Sequence, residues 1–403
     1  MLKNSFVSLF SGAGGLDLGL EIAGWHGLYA ADLDPCAVET LEMNRGREIA
    51  PSKKFMSNSV IERADVRNLS GREVLGKIGL NRGDIPLLVG GPPCQSWSSA
   101  GRQQGFDDPR GRLFSDFVRL ADELGSRWIM FENVRGLLTA RGADGRPGSA
   151  LELIRSRLLG RGFQTGVSLV NAADYGIGQR RVRLIVFGYR TGDNFAFPAP
   201  THSKVSDREA GLAPWLTLAE VLDTIAPPLE SEVIHPTGLL AQQMRNLEPG
   251  NGVKSPGKQE TTRPGGHWGY KQGAFVTDPA KAARTVTASA QQDWLRDPEH
   301  GLRRLSPREC AAIQSFPPNW SFSGKRSDQY RLIGNAVPPK LGKVIGSALL
   351  DHAELDQSEP VARGNLVPLP TGLMSAIRYT EREEARNGAS RRAAPDRRTR
   401  LVA

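Results

Sequence analysis

From residue 1 to about residue 190, short apolar runs alternate with stretches of helical spacing, and this alternation limits the folds open to the chain. "SFVSLF" reads as a strand that ends in a glycine loop, and "GLDLGLEIAG" has helical spacing and stops on glycine. "HGLYAAD" is a second strand, and "PCAVETLEMNR" is a helix opened by proline. "IPLLVGG", "RWIMFENV" and "VRLIVFGY" are further strands with helical segments between them. Alternating strands and helices specify an α/β fold, a parallel sheet covered on both faces.

The texture changes at about Thr191. Up to Gly301, Pro, Gly, Gln and Thr increase and periodicity weakens, as in "PGNGVKSPGKQETTRPGGHWGYKQG". Residues 191–301 therefore read as a second, loop-rich module. "LSPRECAAIQSF" then predicts a helix with Ser306 as cap, Pro307 at the first position and Glu309 at the third. Residues 302–350 return to the first domain. Residues 351–403 drift into "REEARNGASRRAAPDRRTR", which predicts a disordered charged tail. No apolar run approaches the roughly 18 residues of a membrane helix. Cys36, Cys94 and Cys310 are too scattered for a disulfide framework or a Cys-x-x-Cys metal pair, and the six histidines lack zinc spacing. The reading is an intracellular, metal-free protein. Its net charge of +9 fits a generally basic surface or a polyanionic partner, and charge alone does not choose.

The first glycine loop, "LFSGAGGLDLGL", follows a strand and opens a helix. A dinucleotide fingerprint would carry a third glycine where Asp17 stands, and an acidic side chain there argues against a pyrophosphate. About twenty residues on, Asp32 ends the second strand, where a carboxylate can hold ribose hydroxyls. Asp65 ends a third strand and can reach an adenine amino group. A nucleoside without phosphates fits this Rossmann-like set, and S-adenosylmethionine is the common one. A plain strand–turn–helix loop is the other reading.

In "LLVGGPPCQSWSSAGRQQGFDDPRGRLF", Pro92 and Pro93 restrict the backbone just before Cys94. A strand end presents Cys94 at the edge where α/β sheets bind ligands. A nucleophilic thiol needs such exposure and direction. The run that follows is too polar to bury it. The next strand, "RWIMFENV", carries Glu132 near its end, a partly desolvated carboxylate suited to give a proton at neutral pH. "GQRRVRLIVFG" puts Arg181 and Arg183 on one face at period two, able to orient the glutamate, a base or a phosphate.

These residues resemble the DNA (cytosine-5) methyltransferases, especially the bacterial modification enzymes. "FSGAGG", "DLD", "ADV", "GGPPCQSWS", "FENV", "QRRVR", "RRLSPREC" with "QSFP", and "IGNAVP" occur in the family's order, to about Leu350. The resemblance implies a Rossmann-like, S-adenosylmethionine-dependent methyltransferase domain with a smaller target recognition domain over 191–301. It implies that Phe10, Gly12, Gly14 and Gly15 line the cofactor site. Asp32 and Leu33 would meet ribose and adenine, Asp65 and Val66 the adenine, and Asn335 and Val337 would return to the same pocket. Cys94 would be the nucleophile and Glu132 the acid. Arg181 and Arg183 would hold base and backbone. The stretch after Cys94 resembles the catalytic loop, with Gln95, Arg102, Arg110 and Arg112 towards DNA. The base would have to be flipped out of the duplex.

Two other readings were weighed: an RNA cytosine-5 methyltransferase, whose Cys-Phe-Thr motif is missing here, and a catalytically inactive DNA-binding relative. An amino-group methyltransferase is disfavoured because Gly91 precedes the prolines and Cys94 follows them. Within the module, Arg245, Arg263, Lys271, Gln272, Arg284, Gln291 and Gln292 suit bidentate contacts to bases. The expected partner is double-stranded DNA, met by a cytoplasmic, nucleoid-associated bacterial monomer. A companion restriction endonuclease, encoded separately, would accompany an enzyme of this type.

Overall fold

The computed structural model describes residues 4–93, 109–190, 195–205, 210–253, 274–355 and 365–393. Seven strands form the main sheet: Ser5–Leu9 (β1), His26–Asp32 (β2), Val60–Arg63 (β3), Leu87–Gly90 (β4), Trp128–Val134 (β5), Gln164–Asn171 (β6) and Val182–Tyr189 (β7). Their spatial order is β3-β2-β1-β4-β5-β7-β6. β1 to β5 are mutually parallel, as the alternation predicts. The last pair departs from it, because β7 runs antiparallel to both β5 and β6. Ten residues, the first four a 3₁₀ turn at Ala172–Tyr175, separate Asn171 from Val182, too little chain for a parallel crossover.

Helices cover both faces. Gly15–Ala23 (α1), Pro35–Asn44 (α2), Gly71–Ile78 (α3), Pro109–Leu124 (α4) and Ser149–Gly160 (α5) follow the early strands. The chain returns after the small module as Pro307–Ile313 (α6), Arg326–Asn335 (α7) and Pro339–Leu355 (α8). α8 packs on α1 at close range. A Cβ at Gly19 would lie 2.6 Å from the Gly342 Cα, and the Trp25 indole donates to the Gly346 carbonyl at 2.9 Å. The caps follow the sequence. Asp34 accepts from the Cys36 amide at 3.0 Å ahead of α2, and Ser306 with Glu309 closes a capping box around α6.

The small module carries a four-stranded sheet: Asn251–Gly252 (β8), Phe275–Val276 (β9), Trp294–Asp297 (β10) and Gly301–Arg304 (β11). It has its own small core of Met244, Val276 and Trp294. The expected boundary at residue 301 falls at the start of β11. Arg303, 2% exposed, then ties this hairpin to α6, bonding Asp297 at 2.7 Å and Glu309 at 2.7 Å.

The end of the chain also departs from expectation. The stretch read as a disordered tail holds a helix, Thr371–Ala393 (α9). Leu373 and Ile377 are buried in the core on the α5 side of the sheet, and Gln164 donates to the Asn365 carbonyl at 3.0 Å. Leu369, Leu373 and Ile377 recur at four-residue spacing, so one narrow apolar stripe anchors a segment whose composition is otherwise charged. Residues 394–403 lie outside the described residues.

Candidate active site

A cavity of about 780 Å³ opens at the carboxyl ends of β1, β2, β4 and β5. One wall is the glycine loop. Gly12 and Gly14 take positive φ (55° and 75°), which glycine adopts without strain. Phe10 also has a positive φ, 56°. At Gly15 a Cβ would overlap the Val337 carbonyl, so a side chain would push the segment after α7 out of the wall. Asn335 and Val337 line the cavity for this reason, although they lie more than 300 residues from β1 in sequence.

The carboxylates at the strand ends are held in different ways. Asp32 accepts the Gly12 amide at 2.8 Å and the Asp34 amide at 2.9 Å, so it shapes the glycine loop as well as facing the cavity. Burial pushes its carboxyl up, opposed by those two amides. Leu33 stands 54% exposed at the rim. Asp65 pairs with Arg67 at 2.5 Å, and that hydrogen-bonded guanidinium holds its carboxyl below the usual range. Val66 is buried beside it, and Arg119 fixes this loop by donating to the Val66 and Leu69 carbonyls at 2.8 and 2.9 Å.

At the other end of the cavity stands Glu132 on β5. It pairs with the Arg183 guanidinium at 2.7 Å, each side chain 12% exposed. Its Oε2 lies 3.9 Å from the position a Cβ would take at Gly91. Its neighbour Asn133 donates to the Pro92 carbonyl at 3.0 Å. The glutamate strand and the Gly-Gly-Pro-Pro strand end are thus fastened together just before residue 94. Sequence reasoning passed over Asn133, and its adjacency to Glu132 in "FENV" was the available signal.

Cys94, Gln95, Arg102, Arg263, Lys271 and Gln272 fall outside the described residues, while Arg110 and Arg112 sit in the first turn of α4. The two arginines of "QRRVR" do not share a role. Arg181 precedes β7, is 1% exposed, and donates to the carbonyls of Val286, Gly334 and Ala336 at 3.0, 2.8 and 2.9 Å. It staples the small module to the end of α7, so Arg183 alone of the pair meets Glu132. Two expected base readers are likewise committed internally. Arg284 stacks on Phe275 at 4.1 Å and faces Asp293 at 3.6 Å. Gln292, buried, donates to the Thr287 and Ser289 carbonyls at 2.8 and 2.5 Å. Arg245 and Gln291 remain exposed.

An α/β sheet with a cavity at its carboxyl edge, and a glutamate–arginine pair at one end of it, defines an α/β ligand-binding domain. Comparison with known proteins narrows it. A family model described as C-5 cytosine-specific DNA methylase matches residues 4–351. The chain is 31% identical over 364 residues to the type II methyltransferase M.NgoPII of Neisseria gonorrhoeae, covering 85% of this chain and 94% of that one. It is 32% identical to M.Sau96I of Staphylococcus aureus, covering 85% and 75%. Among solved structures, a putative DNA modification methyltransferase encoded within an E. coli prophage matches with a TM-score of 0.64 at 20% identity, covering 87% of this chain and 99% of that one. S. pombe Dnmt2 matches at 0.58 and 19%, covering 86% and 98%. These two likenesses concern the fold.

The chain belongs to the C-5 cytosine-specific DNA methylase family. It is a DNA (cytosine-5) methyltransferase whose substrate is DNA. Among the described residues, no helix is long and apolar enough to cross a membrane.

Proposed function

We propose that the protein methylates carbon 5 of cytosine within a specific double-stranded DNA sequence, using S-adenosylmethionine and a covalent adduct on Cys94. One observation carries this reading. Glu132, paired with Arg183, is fastened beside the Gly91–Pro93 strand end that leads into Cys94, and both open onto the cavity built by the glycine loop, Asp32 and Asp65. The cavity suits an uncharged adenosine, since its carboxylates meet hydroxyl and amino groups and Asp17 replaces the glycine a pyrophosphate would need. When bound, the cofactor supplies an electrophilic methyl on sulfonium.

The chain's residues would act on the base. Carbon 5 of cytosine is a poor nucleophile. The Cys94 thiolate adds to carbon 6 while Glu132, steadied by Arg183, gives a proton or hydrogen bond at ring nitrogen 3. Carbon 5 then has enamine character and takes the methyl. Loss of the carbon 5 proton to solvent, return of any nitrogen 3 proton to Glu132 and expulsion of the Cys94 thiolate restore the aromatic ring. The base must leave the duplex for this, because a stacked ring offers neither face. Phe10, Leu33, Val66, Asn335 and Val337 would line the cofactor, and the 191–301 module would read the target. Residues of the loop after Cys94, with Arg102, Arg110 and Arg112, would meet phosphates.

The test is transfer of labelled methyl to DNA with identification of the product nucleoside. A 5-fluorocytosine duplex should trap wild type as a covalent adduct. Cys94→Ser should lose roughly 10⁴-fold or more in rate, while Cys36→Ser keeps the activity. An adduct of equal yield on Cys94→Ser, or labelled N4-methylcytosine as product, would overturn the reading.

A further inference from the structure

Among the described residues five carboxylates line the cavity, and four are already answered. Asp34 pairs with Arg331, Asp65 with Arg67 and Glu132 with Arg183, and both oxygens of Asp32 accept backbone amides. Asp17 is different. It is the third residue of α1, fully buried, and lines the cavity. Neither of its oxygens meets a cation or completes a well-aligned hydrogen bond among the described residues. The charged groups acting on it are Glu21, one turn further along α1, and Asp32 at the end of β2, both acidic. The Ser8 hydroxyl on β1, which accepts from Ser11 at 2.8 Å, lowers its carboxyl by hydrogen bonding but brings no charge. From α8, Lys340 is committed to the Gly176 carbonyl at 2.7 Å and Lys343 is exposed.

A buried carboxylate without a partner is costly and is retained where a cation completes it. The N-terminus of α1 favours its ionised form. The cofactor of the reading above carries positive charge only at its methionine end, as sulfonium and α-ammonium. With Asp32 and Asp65 assigned to the adenosine, the glycine-loop side of the cavity is left for that end. We propose that Asp17 is the counter-charge for the cationic methionine end of S-adenosylmethionine, a binding residue whose ion pair forms only when the cofactor enters. The proposal rests on the cofactor reading above.

Calorimetric titration of the whole protein separates the two. The probes are S-adenosylmethionine, S-adenosylhomocysteine, which lacks the sulfonium, and 5′-methylthioadenosine, which lacks both charges. Asp17→Asn should weaken S-adenosylmethionine about 10- to 100-fold, the range of a charge-assisted hydrogen bond. It should leave methylthioadenosine within about threefold, roughly the 0.6 kcal/mol of thermal energy. Equal losses for the first two probes assign the α-ammonium, and a larger loss for S-adenosylmethionine assigns the sulfonium. A second measurement needs no variant. Burial pushes the Asp17 carboxyl up to about 7 in the empty protein, against the lowering effect of Ser8. A proton then competes with the cation, so wild-type affinity for S-adenosylmethionine should fall by up to about tenfold per pH unit below 7, with methylthioadenosine flat. Parallel losses for all three probes in the variant, or parallel pH profiles in wild type, would overturn the assignment to Asp17. Failure of wild type to bind any of the three would overturn the cofactor reading itself.

Discussion

The edge of the main sheet and the small four-stranded sheet use the same residue types for opposite ends. At the sheet edge, backbone topology does the placing. β1, β2, β4 and β5 run parallel, so the residues at their ends reach one cavity. In the small module, side chains do the placing, and its arginines and glutamines are partly spent on holding the module together. Arg284 and Gln292 look like base readers by type, yet one stacks on Phe275 and the other laces the 287–289 carbonyls. Residue type predicts a role well where strand polarity has already fixed the address, and poorly where packing decides which polar groups are free.

The sharpest way to break this comparison is at the sheet edge. Glu132→Gln keeps the side chain's shape and removes its carboxyl group. General acid help contributes about 10²–10⁴-fold, so the bound-state rate should fall by that order while cofactor affinity barely moves. Loss of cofactor binding with an unchanged rate would give Glu132 a different task. Next is Arg181, the staple between the two regions. Arg181→Met leaves three buried carbonyls unpaired and should cost roughly 3–5 kcal/mol in chemical denaturation. Arg284→Ala, at a partly exposed site, should cost about 1 kcal/mol. If both variants lose activity equally at full folding, Arg181 acts on DNA and the distinction fails.

A third test concerns the carboxylate at the start of α1. An acid whose carboxyl is raised on folding costs stability once the unfolded chain is ionised. For Asp17, moved from 3.8 to about 7, no penalty exists below the lower value. It grows as pH rises between the two and is complete above about 7, on the order of 4 kcal/mol. Asp17→Asn should therefore raise the melting temperature of the empty protein more at pH 8 than at pH 4. A pH-independent difference would show that folding does not raise the Asp17 carboxyl. The smallest effect is expected at the far end of the chain. Truncation after Arg378 keeps Leu373 and Ile377 and should change stability by less than about 0.5 kcal/mol. Truncation after Leu355 removes both anchors and should cost about 3 kcal/mol. Equal melting temperatures for the two would mean that α9 does not support the core.

Much of the site was legible in the sequence because it sits at strand ends. A run of apolar residues that stops at Gly, Asp or Pro marks both a strand and its carboxyl edge, and ligands collect at that edge. Phe10, Asp32, Asp65 and Glu132 are all of this kind, and each lines the cavity. The polarity of β7 was less legible, since a short connection reverses a strand without altering its apolar pattern. The tail was misread because composition averages over a segment, whereas three residues at four-residue spacing suffice to dock a helix. Module boundaries blur for a related reason, with Arg303 on one side of residue 301 answering Asp297 and Glu309 on both.

The sequence by itself determined the α/β alternation, the parallel strands from β1 to β5, the caps of α2 and α6, and the residues gathered at the strand ends. All of these follow from local periodicity and from chain direction, which neighbouring residues encode. Only the tertiary structure decided that Val337 closes over Gly15 and that Arg181 joins three carbonyls while Arg183 takes Glu132. It also decided that Asp17 is left without a cationic partner among the described residues. These depend on which groups distant segments bring to one another, and a buried charge has no role until its neighbours are in place.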